Sequence, residues 1–557
     1  MSERDFYFVK RRFNHKRLSQ IPAMVFFIAG IAGIVAIGLI YAFAQRPRKV
    51  GQEQSQNSGA RRSSTVRVKA GGDLQKAINA AQAGDTIILE AGATYPGPIT
   101  LPYKGAGSGT DADYITIQTS ALSSLTEGAR VTPANAASMP RLTTRNYPGR
   151  DYGPPVISTE ARAHHYRLIG LEITSEPTAS IPDLVTLGDG SEAQNSLSQV
   201  PHHLIVDRCL IHVADKQPAK RGIALNSSET TISNSYIAGF KLVGEDSQAI
   251  CMWNGPGRYQ IVNNYLEAAA ENILILGSAN WIPNLIPSDV VIKQNHLSKP
   301  LRWYPKDASY AGVPWSVKNL LELKTGKRVE IDGNLMEYSW QSGQDGMAII
   351  IAPIGYSTGP RSVPQLEDIR FTNNIVRHAA GGMLLDGRLA AGDGSYLRTA
   401  IINNNLFEDI DGRWGETYGR LFVINDATER VTIEHNTALN TGHAVVSQTI
   451  ANMNFVCRNN IFHKDVSSGL SPGEATIKSF FPNCVWTRNV QIGADWSVYN
   501  SSRGNYFPPT PKAVGFLDFA GGNYRLALTS KYKNAATDGK DIGCDFDALY
   551  AAQGKSA

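Results

Sequence analysis

The stretch "WSVKNLLELKTGK" places Lys318, Glu322 and Lys324 within a single short run. Strand alternation puts Glu322 and Lys324 on one face and Leu321 and Leu323 on the other. Two kinds of chemistry suit that face. One is a solvated ion pair. In the other, Lys318 or Lys324 acts as a base while Glu322 serves as an acid or a metal ligand. Neighbouring apolar runs begin with comparable polar residues: Arg221, Gln248, Glu271–Asn272, Lys318–Asn319 and Asp345. If the runs stack, their first residues form a row suited to a uronic-acid carboxylate, which Arg221 can grip bidentately. The stretch "NHLSKPLRWYP" adds His296, Lys299 and Arg302. Arg302 is a further catalytic cation in this scheme, and His296 reads more simply as a structural neighbour of a turn. Five of the eight tryptophans (Trp253, Trp281, Trp303, Trp315 and Trp340) fall between residues 245 and 346. Their flat faces suit sugar rings. They equally suit the packing of inserted loops against a core.

Those residues require a scaffold that stacks short strands, and the chain repeats one. "QIVNNYLEA", "VVIKQNHLS", "VEIDGNLME", "IRFTNNIVR", "AIINNNLFEDI", "VTIEHNTAL" and "FVCRNNIFH" share an apolar run, a polar break and a second apolar run. The column of breaks is Asn264, Asn295, Asn334, Asn374, Asn405, Asn436 and Asn460, with Cys209 and Ser235 extending it upstream. From Cys209 the spacings are 26, 29, 31, 39, 40, 31, 31 and 24. A fixed motif at irregular intervals of this size means a solenoid with insertions in some coils. Valine, isoleucine and aromatic residues dominate the units, so the solenoid is all-β. Coils stacked at about 4.8 Å would form a parallel β-helix, with about ten coils expected. Stacked asparagines at one corner would satisfy the turn and each other. A second strand is expected after each turn, in "RGIALN", "SQAICMW", "ENILIL", "KNLLELK", "DGMAIII", "GGMLLD", "GRLFVIND" and "GHAVVS".

The N-terminus reads differently. Residues 21–45 form an uncharged stretch long enough to span a bilayer. Arg4, Lys10, Arg11, Arg12, Lys16 and Arg17 precede it, which orients residues 1–20 as a cytoplasmic tail with the rest outside. Ala42-Phe43-Ala44 supports the alternative of a signal peptide cleaved at Ala44. Residues 46–64 read as a flexible tether. The overall charge of +5 divides into +7 over residues 1–50, +3 over residues 51–69 and −5 beyond. A mildly acidic body argues against nucleic acid as a partner. The five cysteines lack metal-type spacing; Cys209 and Cys251 fall in strands, and a Cys457–Cys484 disulfide is one option outside the cytoplasm.

The folded part opens with "GGDLQKAINAAQAGDTIILEAGATYPGPITL". Asp73 suits an N-cap, and Leu74, Ala77, Ile78 and Ala81 share a helical face that would cover the open first coil. Gly84 ends that helix. This segment resembles the start of pectin-lyase-like right-handed parallel β-helix proteins, nearest to the chondroitinase-B and alginate-lyase group. The coils to Asn460 resemble the same superfamily, and "NYRLALTSKYKNAATDGKDIGCDFDAL" looks like the tail of bacterial secreted β-helix proteins. The resemblance spans residues 65–550. It implies a right-handed parallel β-helix with an N-terminal capping helix; the apolar stretch 21–45 adds one transmembrane helix ahead of it. The superfamily spans several activities; the clustering of charge and indole between residues 245 and 346 on such a fold is what points to a carbohydrate-active protein that acts on an anionic polysaccharide by β-elimination. The catalytic residues would be Lys318, Glu322, Lys324 and Arg302. Arg221 and the five tryptophans would bind substrate. If Ca²⁺ is used, Glu271, Glu322 and Asp345 are its oxygen ligands. Two alternatives stay open. One is a protein that holds cell-envelope glycan without cleaving it. The other is a glycoside hydrolase using two of Asp246, Glu271, Glu322 and Asp345.

Overall fold

The computed structural model describes residues 63–107, 109–146, 153–355, 362–469 and 471–554. One coil shows the plan. Gly257–Val262 is a strand whose Tyr259 and Ile261 point inward and whose Arg258 and Gln260 point out. The chain turns at Asn263–Asn264, forms the strand Tyr265–Ala268, bends again, forms Glu271–Ile275, and begins the next coil at Ser288. Equivalent strands pair in parallel into three sheets of 14, 13 and 12 strands, called here the first, second and third in coil order. The three long parallel sheets fit the right-handed β-helix.

Two points differ from the sequence expectation. The first sheet has 14 strands where about ten coils were expected, because the early strands Thr65–Val68, Thr86–Leu89, Ile115–Thr119 and His164–Ile169 precede the asparagine motif. The expected second strand of each coil is the third. A short strand follows each turn first, as Tyr265–Ala268 precedes Glu271–Ile275. Third-sheet strands such as Gln248–Met252, Glu271–Ile275 and Met347–Ile351 are buried on both faces. That is why they read as continuous apolar runs.

The turns divide the work between two residues. The one before each ladder position has left-handed backbone: Asn263, Gln294, Asn373, Asn404, His435 and Asn459 have φ of 53–60°. The ladder residue then bonds along the stack. Asn405 Nδ2 donates to Phe371 O (2.9 Å), Asn403 O (3.0 Å) and Asn436 Oδ1 (2.9 Å). Its Oδ1 accepts from the backbone N–H (2.8 Å) and Nδ2 (3.2 Å) of Asn374. The ladder starts where Cys209 N donates to Ser235 Oγ. It runs past Asn460 to Asn489 and Asn505, which the sequence reading stopped short of.

Both ends are covered. The helix Leu74–Ala80 is capped by Asp73, whose side chain accepts from Lys76 N, and it buries Leu74 and Ile78. It packs on Thr65–Val68 and Ile99–Leu101. The helix Glu474–Phe480 packs on the last third-sheet strand, Val466–Ser467. The tail runs back across the asparagine turns: Gly543 N bonds Asn459 O, Asp545 meets Asn404, and Ala552 O accepts from Gln294. All five cysteines are free thiols. No helix of the described residues is long and apolar enough to cross a membrane. The expected tail, the anchor at 21–45 and all but the end of the tether lie outside the described residues.

Replacing Asn405 by Leu strands Asn374 donors and backbone carbonyls in the core. It should destabilise the fold by about 1–3 kcal/mol in denaturant titration. Unchanged stability would rule out an energetic role for the ladder.

Candidate functional site

The expected row exists. Asp183, Arg221, Gln248 and Glu271 are neighbours on successive third-sheet strands. Arg221 reaches Asp183 Oδ1 and Gln248 Oε1, each at 3.2 Å, and Gln248 Nε2 donates to Glu271 Oε2 at 2.8 Å. Lys318 Nζ lies 2.7 Å from Asp246 Oδ2 and 3.5 Å from Glu271 Oε1. Asn319 Nδ2 donates to Glu322 Oε2 (3.0 Å), and Lys324 Nζ lies 3.6 Å from Glu322 Oε1. Register seats Glu322 between Leu274 and Ile350.

Burial changes what this row can do. Glu271 is fully buried. Its burial, aided by Asp246 and Glu322 and opposed by Lys318 and Gln248, pushes its pKa up to about 7. Burial alone would lower the Lys318 pKa, but Glu271 and Asp246 outweigh it and raise it. A lysine held protonated between two carboxylates is a cation, and a base needs a free amine. Asp345 is exposed. Among the described residues, Glu271, Glu322 and Asp345 do not gather their oxygens within ligand distance of one another. An ammonium already sits against Glu271 where a cation would lie. These residues do not fit Ca²⁺.

The tryptophans correct the expectation of a sugar platform. Trp253, Trp303, Trp315 and Trp340 are buried, and Trp281 is half-buried. Trp253 Nε1 donates to Gly190 O, and the Arg221 guanidinium lies 4.9 Å from its ring centroid. Trp303, Trp315 and Trp340 pack with Ala269 and Val317. Insertions of this length need an apolar anchor on the coil body, and the indoles provide it. Arg302 lies away from the Lys318 row. It pairs with Asp215 (3.0 Å) and Glu267 (3.3 Å) beside a cavity of about 240 Å³ on the second sheet. Lys299 is fully buried. Its Nζ donates to the carbonyls of Ala268, Ala269 and Ala270 and closes a corner. His296 bonds Glu337 at 2.8 Å.

The accessible site lies further along the second sheet. Glu337, Arg377 and Glu408 stack in register on the strands Leu335–Ser339, Ile375–Ala379 and Leu406–Ile410. The following residues, Tyr338, His378 and Asp409, have left-handed backbone, with φ of 68°, 57° and 53°. This bulge interrupts alternation, so two successive side chains face outward on each strand. Arg377, His378, Glu408, Asp409, Arg413 and Tyr524 line an open cavity of about 510 Å³. His378 Nδ1 lies 2.8 Å from Asp409 Oδ2, Trp414 Nε1 donates to the same oxygen at 3.1 Å, and Arg413 pairs with it. The Tyr338 ring stacks on His378 at 4.9 Å. Burial would raise the Asp409 pKa, but hydrogen bonds from His378 and Trp414 and the Arg413 charge lower it. An ionised Asp409 fixes the proton on Nδ1 and leaves the His378 Nε2 lone pair for the cavity. Tyr524 donates to Glu408 Oε1 at 2.7 Å, and burial and that carboxylate raise its pKa. The sequence signal for these residues is a polar pair three and four residues after the ladder asparagine: Glu337–Tyr338, Arg377–His378 and Glu408–Asp409.

Stacked parallel sheets, a ladder and capped ends define a parallel β-helix. No family model and no curated protein matches the sequence. Solved structures resemble its fold. An alginate lyase from Paenibacillus sp. str. FPU-7 is 13% identical, with 80% of this chain and 96% of that one covered and a TM-score of 0.28. The pectate lyase Pel9A is 12% identical, with coverages of 87% and 96% and a TM-score of 0.31. The PL6-family alginate lyase AlyGC is 11% identical, with coverages of 86% and 58% and a TM-score of 0.40.

The raised Glu271 pKa has a sign. Stability from protonated Glu271 is present below the ordinary value of 4.5 and is lost as pH rises through about 7. Wild type should therefore lose stability relative to Glu271→Gln across that window in urea titrations. Parallel pH profiles for the two proteins would show that Glu271 is already ionised.

Proposed function

We propose that the protein cleaves an anionic polysaccharide by β-elimination in the second-sheet cavity. The observation that carries this reading is the His378–Asp409 pair, set on stacked bulges in an open cavity flanked by Arg377, Arg413 and Tyr524. In this reaction Arg413 and Arg377 neutralise the uronate carboxylate, which acidifies the adjacent C5 proton. His378 Nε2 takes that proton, and Asp409 stabilises the imidazolium formed. The electron pair forms the C4–C5 double bond as the C4–O bond breaks. The Tyr524 phenol protonates the leaving oxygen, since an alkoxide is the stronger base, and recovers its proton from the imidazolium through solvent. The expected roles of Lys318, Glu322 and Lys324 pass to these residues because Glu271 and Glu322 are buried and Lys318 is held protonated by its carboxylate partners. No step is routed through calcium. The basic residues ahead of the apolar stretch 21–45 support an extracytoplasmic, membrane-tethered placement.

The test uses the full chain and a panel of uronic-acid polymers, following absorbance from new C4–C5 double bonds. His378→Ala should lower turnover about 10²–10⁴-fold, as loss of general-base catalysis does. Arg413→Ala should also lower turnover, while Lys318→Ala keeps it. The reverse pattern would return the chemistry to the third-sheet row. Saturated reducing ends would mean hydrolysis, for which Glu408, Asp409 and Asp411 are at hand. Glycan binding without turnover, with and without added Ca²⁺, would leave a protein that holds its polymer.

A further inference from the structure

Two histidine pairs, His164–His165 and His202–His203, open successive strands of the first sheet, and register stacks them. The second member of each pair has left-handed backbone, with φ of 55° at His165 and 53° at His203. That repeats a device of the first sheet: Glu229, Arg258, Asp289 and Arg328 follow in the same column with φ of 47–59°. The bulge brings the two rings of each pair together. His164 and His202 stack with centroids 4.9 Å apart, and His165 and His203 at 4.5 Å. Within the pairs the Nδ1 atoms approach to 2.8 Å and 2.7 Å.

The outer nitrogens identify the tautomers. His164 Nε2 lies 2.8 Å from the carbonyl oxygen of Gly105, which can only accept. His203 Nε2 lies 2.6 Å from Glu229 Oε2. Both rings therefore carry hydrogen on Nε2 and turn an Nδ1 lone pair inward. Each inward lone pair meets a neighbour's Nδ1–H, from His165 and His202 respectively. A carboxylate or carbonyl on the outer nitrogen is the arrangement that orients metal-ligating histidines. Ligand nitrogens of His165, His202 and His203 lie within 4.8 Å of one another. Burial, reinforced by the neighbouring imidazoles, lowers the pKa of His165 and brings that of His202 to about 4.

We propose that His165, His202 and His203, with His164 beside them, bind a divalent transition-metal ion of the Zn²⁺, Ni²⁺ or Cu²⁺ type. Imidazole nitrogens select these ions over the oxygen-seeking Ca²⁺ and Mg²⁺. Ligands at about 2.0–2.1 Å from a tetrahedral ion require each Nδ1 pair to open by several tenths of an ångström. His165 and His202 move their hydrogen to Nε2 as the ion replaces the two N–H···N bonds. The site is independent of the second-sheet cavity and of any reaction there.

Zn²⁺ titrated calorimetrically into the chelator-treated full chain should bind at one ion per chain. The double variant His202→Asn/His203→Asn should lose that ion; asparagine is chosen because it tolerates the left-handed backbone at 203. Glu229→Gln keeps all four rings and should weaken binding about 10–100-fold. Cu²⁺ bound in place of Zn²⁺ should show nitrogen hyperfine structure in its electron paramagnetic resonance. No ion bound to wild type at micromolar Zn²⁺ would overturn the site. So would a stoichiometry and affinity unchanged in both variants.

Discussion

The structure rests on an amide that bonds twice along the stack. A mid-ladder asparagine such as Asn405 receives the backbone N–H and the side-chain N–H of the preceding coil on one oxygen, and passes its own amide hydrogens to the next coil and to a buried carbonyl. Buried turn groups are thereby satisfied without water. A polar ladder inside an apolar stack tolerates no slip, because a shifted register would leave every rung unpaired. Fixed register makes every other position a column. The charged row of the third sheet, the bulges of the second and the histidines of the first are all consequences of it.

Left-handed residues are the second recurring device. In a regular strand alternate side chains are spent on the core. A left-handed residue breaks the alternation and turns two consecutive side chains outward. On the second sheet this exposes Arg377 with His378 and Glu408 with Asp409. On the first it brings His164 to His165 and His202 to His203. Both clusters of candidate chemistry sit where this device repeats on neighbouring coils, so that pairs become quartets.

Charge and burial separate the two charged faces. On the third sheet, Glu271 is fully buried and Lys318 is clamped by two carboxylates, so the ionic groups satisfy one another. Breaking a buried pair is costly because a lone charge is left behind. At the second-sheet cavity, His378, Arg377 and Arg413 keep 28%, 36% and 62% of their side chains exposed. Their partners orient them, and solvent or a polymer still reaches them.

Much of the fold was legible in the sequence by itself. The asparagine column, the apolar runs and the capped first helix are local patterns, and each is set by residues close in the chain. The polar row from Arg221 to Lys318 was legible too, because register follows from the ladder. Whether that row met solvent was not. Trp303, Trp315 and Trp340 read as a platform or as anchors, and only the packing of the insertion between Lys299 and Asn319 turned them inward. The second-sheet cavity needed more. Its Tyr524 comes from a tail that folds back to Glu408, 116 residues upstream, and its paired side chains depend on backbone angles that no composition encodes. Periodicity is a short-range property of the chain. Exposure is decided by what packs on top, through contacts between residues far apart in sequence.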